Sequence, residues 1–272
     1  MEVNPFVAEL DKVSFERGER MIFKNLNMQI KKGQITAIMG PSGTGKTTLL
    51  HLLGGLLLPS RGQVQVLGRD TRKFKGQDWL QARKRMGMLF QSGALFNDLS
   101  VFDNVAFALR EHTHLPEAVI ADIVKMKLEA VGLRGSESLM PAELSGGMGR
   151  RIALARAMSL DPEMMLYDEP FAGQDPISMG VLLKLIRTLN DSCGLTSILV
   201  SHDVHEVLEI ADQIFIISGG KVIGQGSPAE IRKDASALVK QFIAGEPDGP
   251  VAFRYPAALS VQDDFLGGAD AR

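Results

Sequence analysis

The chain has 272 residues, 45% of them hydrophobic and 23% charged, with a formal net charge of −2. That balance suits a globular protein with a sizeable core, one domain or slightly more, and nothing in it suggests a broad basic face for nucleic acid or a polybasic membrane patch. A single cysteine, Cys193, excludes a disulfide framework and a cysteine metal cluster, and reads as a small semi-buried hydrophobe.

The first residues, MEVNPFVAEL, lack the basic start and apolar run of a secretory leader. The richest apolar stretch, TTLLHLLGGLLLP, is broken by Gly and Pro before it could cross a bilayer. The expectation is a cytoplasmic protein, with any membrane part supplied by other chains. QITAIM, from Gln34 to Met39, is a short apolar strand running into a Gly-rich turn, and GKTTLLHLLGG then has helical spacing that stops at Gly54 and Gly55. QVQVLG alternates like a half-exposed strand, and MGMLFQ reads as a buried one.

From about Ser92 to Leu160 the pattern turns helical. Between Pro116 and Gly132, Val119, Ile120, Ile123, Val124, Leu128 and Val131 fall on one face. Strand and helix then alternate again: MMLYDE, PISMGVLLKLIRTLN, TSILVSHD, and a hairpin, DQIFIISGGKVIGQG, turning at Gly219 and Gly220. The fold class is α/β, a domain over 1–245 interrupted by a helical insertion at about 92–160. Residues 246–272 form a Pro/Gly-rich extension whose VAFRYPA segment reads either as an arm that docks on a surface or as a loose tail.

GPSGTGKTT (Gly40, Pro41, Ser42, Gly43, Thr44, Gly45, Lys46, Thr47 and Thr48) has the spacing of a phosphate loop, with a strand before it and a helix after. Its glycines let backbone N–H groups curl around phosphate oxygens. Lys46 would bridge the β- and γ-phosphates of ATP, and the Thr47 hydroxyl would ligate Mg²⁺. At the end of MMLYDE, Asp168 would hold the metal shell and Glu169 would act as general base on water. Gln91 after GMLF could reach the metal and the water, and His202 after TSILVS could contact the γ-phosphate. A second anion-binding start precedes RRIALARAMSL, where Ser145, Gly146 and Gly147 open a helix.

Taken in order, GPSGTGKTT, LFQ, LSGGM, LYDE, AGQD and LVSHD resemble the ATP-binding-cassette ATPases, over residues 6 to about 244. The resemblance implies a P-loop NTPase lobe of the ABC type with a helical subdomain and a C-terminal extension. It also implies a head-to-tail pair in which Ser145, Gly146 and Gly147 of one copy clamp the γ-phosphate held by the other, so two anion sites serve different nucleotides. Asp175 keeps its place in the loop after the catalytic Glu. The sequence departs from the family at three points: Met148 stands where Gln is usual, Gln174 where Leu is usual, and Arg17 where an aromatic stacks on adenine.

LFQSGALFNDLSVFDNVAFALREHTHLP, LSGGMGRR and DGPVAFRYPA resemble the phospholipid-transporting branch of that family. That likeness implies a homodimer on the cytoplasmic face of the inner membrane, an integral membrane permease, a membrane-anchored MCE-domain lipid-binding protein and a cytoplasmic STAS-domain partner. Leu95, Phe96, Leu99, Val101 and Phe102 belong either to the groove that receives the permease or to the helical core. The alternatives are a small-solute importer ATPase, a soluble non-transport cassette ATPase and a nucleotide switch that no longer hydrolyses; intact Glu169 and His202 argue against the last.

Overall fold

The computed structural model describes residues 4–250. Two long strands open the fold, β1 (Phe6–Arg17) and β2 (Arg20–Lys31), paired as an antiparallel hairpin. This hairpin has no clean strand signature in the sequence. Register shifts between Leu10 and Val13 and on to Glu16, with positive φ at Lys12 and Asn25, break the alternation that marks a strand. The central strand β3 (Ile35–Met39) is buried throughout and leads into α1 (Lys46–Leu53). β4 (Arg61–Val66) and the two-residue β5 (Arg69–Asp70) pair beside the hairpin, and α2 (Gly76–Lys84) connects to β6 (Met86–Leu89).

The expected helical insertion follows as α3 (Val101–His112), α4 (Glu117–Ala130) and α5 (Gly146–Ala157). On α4, Ile120, Val124 and Leu128 are buried as read, while Val119 is 41% exposed. β7 (Met164–Asp168), α6 (Pro176–Cys193), β8 (Thr196–Ser201), α7 (Val204–Ile210) and β9 (Gln213–Ser218) restore the α/β alternation. β10 (Lys221–Gly226) completes the predicted hairpin, and α8 (Pro228–Lys233) and α9 (Ala237–Ala244) close the described chain. Cys193 is exposed at the end of α6, against the expectation of a semi-buried side chain. The VAFRYPA segment lies outside the described residues.

The strands form two sheets. The antiparallel one has the order β2-β1-β4-β5, and the larger one the order β10-β9-β3-β8-β7-β6, with β6, β7, β8, β3 and β9 parallel. Strands buried on both faces need apolar residues at every position, which is why β3 and β7 read as unbroken runs. One face of the larger sheet (Ile38, Leu166, Ile198, Val200, Ile217) packs with the smaller sheet and with Leu49, Leu50, Leu52 and Leu53 of α1. Each such side chain contributes about 1.5–3 kcal/mol on burial. The opposite face (Ala37, Met39, Tyr167, Leu199, Ile216) packs on the helices, including Val105 of α3, Val124 of α4 and Ile152 of α5. Gripped from both sides, the larger sheet is a rigid platform, and the chemistry lies along one of its edges.

Candidate nucleotide site

In the larger sheet Met39 of β3 pairs with Ser201 of β8, Asp168 of β7 with Val200, and Leu89 of β6 with Tyr167. Gly40, His202, Glu169 and Gln91 follow those strand ends, so the register brings them to one crevice. The carboxyl edge of an open α/β sheet is where ligands bind.

The phosphate loop bridges β3 and α1. Gly40 (φ 151°) and Gly45 (φ 95°) adopt backbone conformations that side chains resist. Space forbids a side chain as well. A Cβ on Gly40 would run into the Ile217 carbonyl, and one on Gly45 would stand 2.5 Å from Ile22 Cγ2 and 2.9 Å from Phe23 Cζ. Thr44 Oγ1 donates to the Pro41 carbonyl at 2.8 Å and tightens the turn, while Ser42 and Gly43 are exposed at its lip. Lys46, 8% exposed, curls back to donate from Nζ to the carbonyls of Gly40 (2.9 Å) and Pro41 (3.3 Å). The same ammonium lies 3.6 Å from Glu169 Oε1. With the N-terminus of α1, it concentrates positive charge on the loop.

Thr47 Oγ1 donates to Asp168 Oδ1 at 2.9 Å, and Asp168 is only 7% exposed. A hydroxyl beside a buried carboxylate is the hard-oxygen pair that fits Mg²⁺. Glu169, the next residue, has φ 46°, a conformation that costs a residue with a side chain about 1–3 kcal/mol and persists where the surroundings impose it. Its N–H donates to the Val200 carbonyl at 3.0 Å, and its Oε2 accepts from the His202 N–H at 3.2 Å and lies 2.9 Å from His202 Nδ1. The Glu169 carboxylate is 12% exposed and the His202 ring 52% exposed. His202 Nε2 lies 3.7 Å from Asp203 Oδ1, so the ring stands between two acids; Asp203 was not singled out from the sequence.

The other candidates sit around this centre. Gln91 follows β6 on the same edge; its carbonyl accepts from Arg150, and its exposed side chain makes no hydrogen bond among the described residues. Arg17 ends β1 opposite Arg20, and Arg20 Nη2 reaches the Gly43 carbonyl at 3.5 Å, so the hairpin tip borders the phosphate loop. Ser145 caps α5, accepting from the Met148 N–H at 3.3 Å, an interaction typically worth about 1 kcal/mol. Ser145 and Gly146 are exposed, and among the described residues no hydrogen bond ties them to the phosphate loop of their own chain. Asp175 caps α6 from the loop beyond Glu169; hydrogen bonds from Ser178 and from the helix N–H groups hold its carboxyl below the usual range.

The ABC transporter family description matches residues 23–172, more than half of the chain. The chain belongs to this family and has the ABC-type ATPase fold. The Haemophilus influenzae intermembrane phospholipid transport system ATP-binding protein MlaF is 58% identical over 263 residues, 97% of this chain and 100% of that protein. The MlaF protein of Escherichia coli K12 is 54% identical over 97% of each chain. Among solved structures, a dimeric ATP-binding cassette, MJ0796, in a post-hydrolysis state bound to ADP and Pi, superposes with a TM-score of 0.74. It is 28% identical, over 81% of this chain and 98% of that one.

Proposed function

We propose that this chain is the ATP-hydrolysing subunit of a phospholipid transporter, working as a head-to-tail pair beneath an integral membrane permease. The observation that carries the reading is the meeting of Lys46, Thr47, Asp168, Glu169 and His202 at one sheet edge, in a chain alike over 97% of its length to a phospholipid-transport ATP-binding protein. No helix among the described residues is long and apolar enough to cross a membrane. We place the subunit on the cytoplasmic face of the inner membrane, with an MCE-domain protein and a STAS-domain protein as further partners. The domain spans 1–245, and residues 246–272 brace the partner copy or an accessory chain.

In this mechanism the backbone N–H groups from Gly40 to Gly45, with Lys46, Thr47 and Thr48, hold the phosphates, and Arg17 stacks on adenine. Thr47, Asp168 and Gln91 would hold Mg²⁺, which supplies charge neutralisation at the phosphoryl oxygens. His202 fixes Oε2 of Glu169, so the carboxylate keeps one orientation while it takes a proton from the attacking water. Ser145, Gly146 and Gly147 of the second copy close over the γ-phosphate, and Asp175 lines the same seam. Between α2, β6 and α3 lies a groove exposing Leu80, Phe90, Phe96 and Phe107; we assign it to the permease. Of the residues left open from sequence, Phe96 faces this groove, while Val101 is buried and Leu95 and Phe102 pack on the core.

A tagged pull-down from mildly solubilised membranes, followed by protein and lipid mass spectrometry, tests the reading. Recovery of a permease, an MCE-domain protein, a STAS-domain protein and bound phospholipid is the expected result. A different permease with a solute-binding protein would keep the ATPase and discard the lipid, and soluble partners alone would remove the membrane.

A further inference from the structure

The arginine that follows the signature loop is not needed to explain nucleotide binding, yet it occupies a central place. Arg150, in the first turns of α5, is 8% exposed. Its Nη1 donates to the carbonyls of Phe90 (3.2 Å) and Gln91, and its Nη2 to the carbonyl of Ala172 (3.1 Å). Two of these carbonyls belong to the loop that carries Gln91, and the third to the loop between Glu169 and Asp175. Burial without a compensating acid pulls the Arg150 pKa down, since no carboxylate among the described residues pairs with it. A buried guanidinium held only by backbone carbonyls has its five donors in a fixed fork, so it sets the separation of the loops it bridges.

A second arginine and a close backbone approach lie beside this frame. Six residues further along α5, Arg156 donates to the carbonyls of Gly93 (3.0 Å) and Ala94 (2.7 Å), pinning the same loop a second time. At the start of the helix Gly147 lies close under Ser178 and Gln174, where a Cβ would stand 2.6 Å from Ser178 Oγ and 3.6 Å from Gln174 Oε1. The helix opened by Ser145 is thus tied to the Gln91 loop by Arg150 and Arg156 and to the Glu169–Asp175 loop by Arg150, with its first turn lying against the start of α6.

We infer that Arg150 is a positioning residue for hydrolysis, which locks the Gln91 loop and the Glu169–Asp175 loop onto α5 so that displacement of the signature loop by a nucleotide reaches Glu169. The inference rests on the roles assigned above to Gln91, Glu169 and Ser145. It adds a link inside one copy to the contact expected between copies.

The test is steady-state ATPase kinetics of the full-length protein, purified with its membrane partners, for Arg150→Met, Arg150→Lys and Glu169→Gln. Fluorescent-ATP binding and melting temperature are read on each variant. Arg150→Met should lower kcat by about 10–100-fold with KM for ATP within about threefold of wild type, since the lost interaction positions groups for the chemical step. Arg150→Lys, which keeps the charge and three donors, should recover part of kcat. Unchanged kcat in a folded Arg150→Met protein would overturn the inference. So would a melting temperature, ATP affinity and kcat that fall together in Arg150→Met, with no recovery of kcat by lysine. If Glu169→Gln turns over at the wild-type rate, the site assignment has failed; if only the Arg150 variants do, the positioning role alone has failed.

Discussion

Both the backbone N–H of His202 (3.2 Å) and its Nδ1 (2.9 Å) approach a single oxygen, Oε2 of Glu169. The other oxygen, Oε1, lies 3.6 Å from Lys46 Nζ. The carboxylate is therefore held at both ends, by a strand-end imidazole and by the phosphate-loop lysine. The residues that directly follow β8 and β7 meet the first residue of α1 there because β8 lies between β3 and β7 in the sheet. His202→Ala should remove one of these holds and lower kcat by about 10²–10³-fold, with ATP binding retained. Single-turnover hydrolysis beside a nucleotide-binding titration separates the two effects.

Lys46→Ala acts on the earlier step. The ammonium is the one side-chain cation that hydrogen-bonds the Gly40 and Pro41 carbonyls among the described residues, and its removal takes positive charge from the loop. ATP affinity should fall by more than about tenfold, the scale of a lost charge-assisted contact. Fluorescent-nucleotide titration reads it directly.

The Thr47–Asp168 pair makes a metal-specific prediction. Asp168→Asn should preserve most of the 2.9 Å hydrogen bond, because an amide oxygen still accepts, yet weaken a divalent cation that prefers carboxylate. Half-maximal activity should shift to higher Mg²⁺ concentration, and a titration of rate against Mg²⁺ at saturating ATP measures the shift. An unaltered Mg²⁺ dependence would remove Asp168 from the metal shell.

These residues were legible in the sequence because each follows a short apolar run that becomes a buried strand of the larger sheet: Gly40 after β3, Glu169 after β7, His202 after β8. Local pattern was enough there. It was not enough for β1 and β2, whose bulges break the alternation, nor for Val119, which helical spacing assigned to the buried face of α4 and the structure leaves 41% exposed. Cys193 reads as a small hydrophobe from its neighbours but lies at the exposed end of α6. The positive φ of Glu169 and the hold of Arg150 on Phe90 and Gln91 depend on loops distant in sequence, and no local spacing encodes them.

Gly147 supplies a steric prediction. Gly147→Ala would press a methyl group onto Ser178 Oγ, 2.6 Å away, at the seam between α5 and α6. ATPase activity should drop by about tenfold or more. The double variant Gly147→Ala with Ser178→Ala should regain part of it, because the nearest clashing atom has been removed. Equal activity in single and double variants would place the cost elsewhere.

Asp175 carries a pH signature. Its folded pKa lies below its unfolded value of about 3.9, so its contribution is present above that value and is lost as pH falls toward and through the lower folded pKa. Asp175→Asn retains an N-cap acceptor but does not titrate. Thermal melts from pH 6 downward should therefore show a shallower acid decline for the variant than for the wild type below about pH 4. Parallel curves would mean that the cap is not felt in stability.

The most direct test of the whole account is ATP-dependent movement of a fluorescent phospholipid by the purified assembly in proteoliposomes, comparing the wild-type chain with Glu169→Gln. The account predicts transfer that requires both Mg²⁺ and ATP in the wild type, and that disappears in Glu169→Gln while ATP is still bound and the two copies remain closed on it. Transfer at the wild-type rate by Glu169→Gln, or transfer indifferent to ATP, would contradict it.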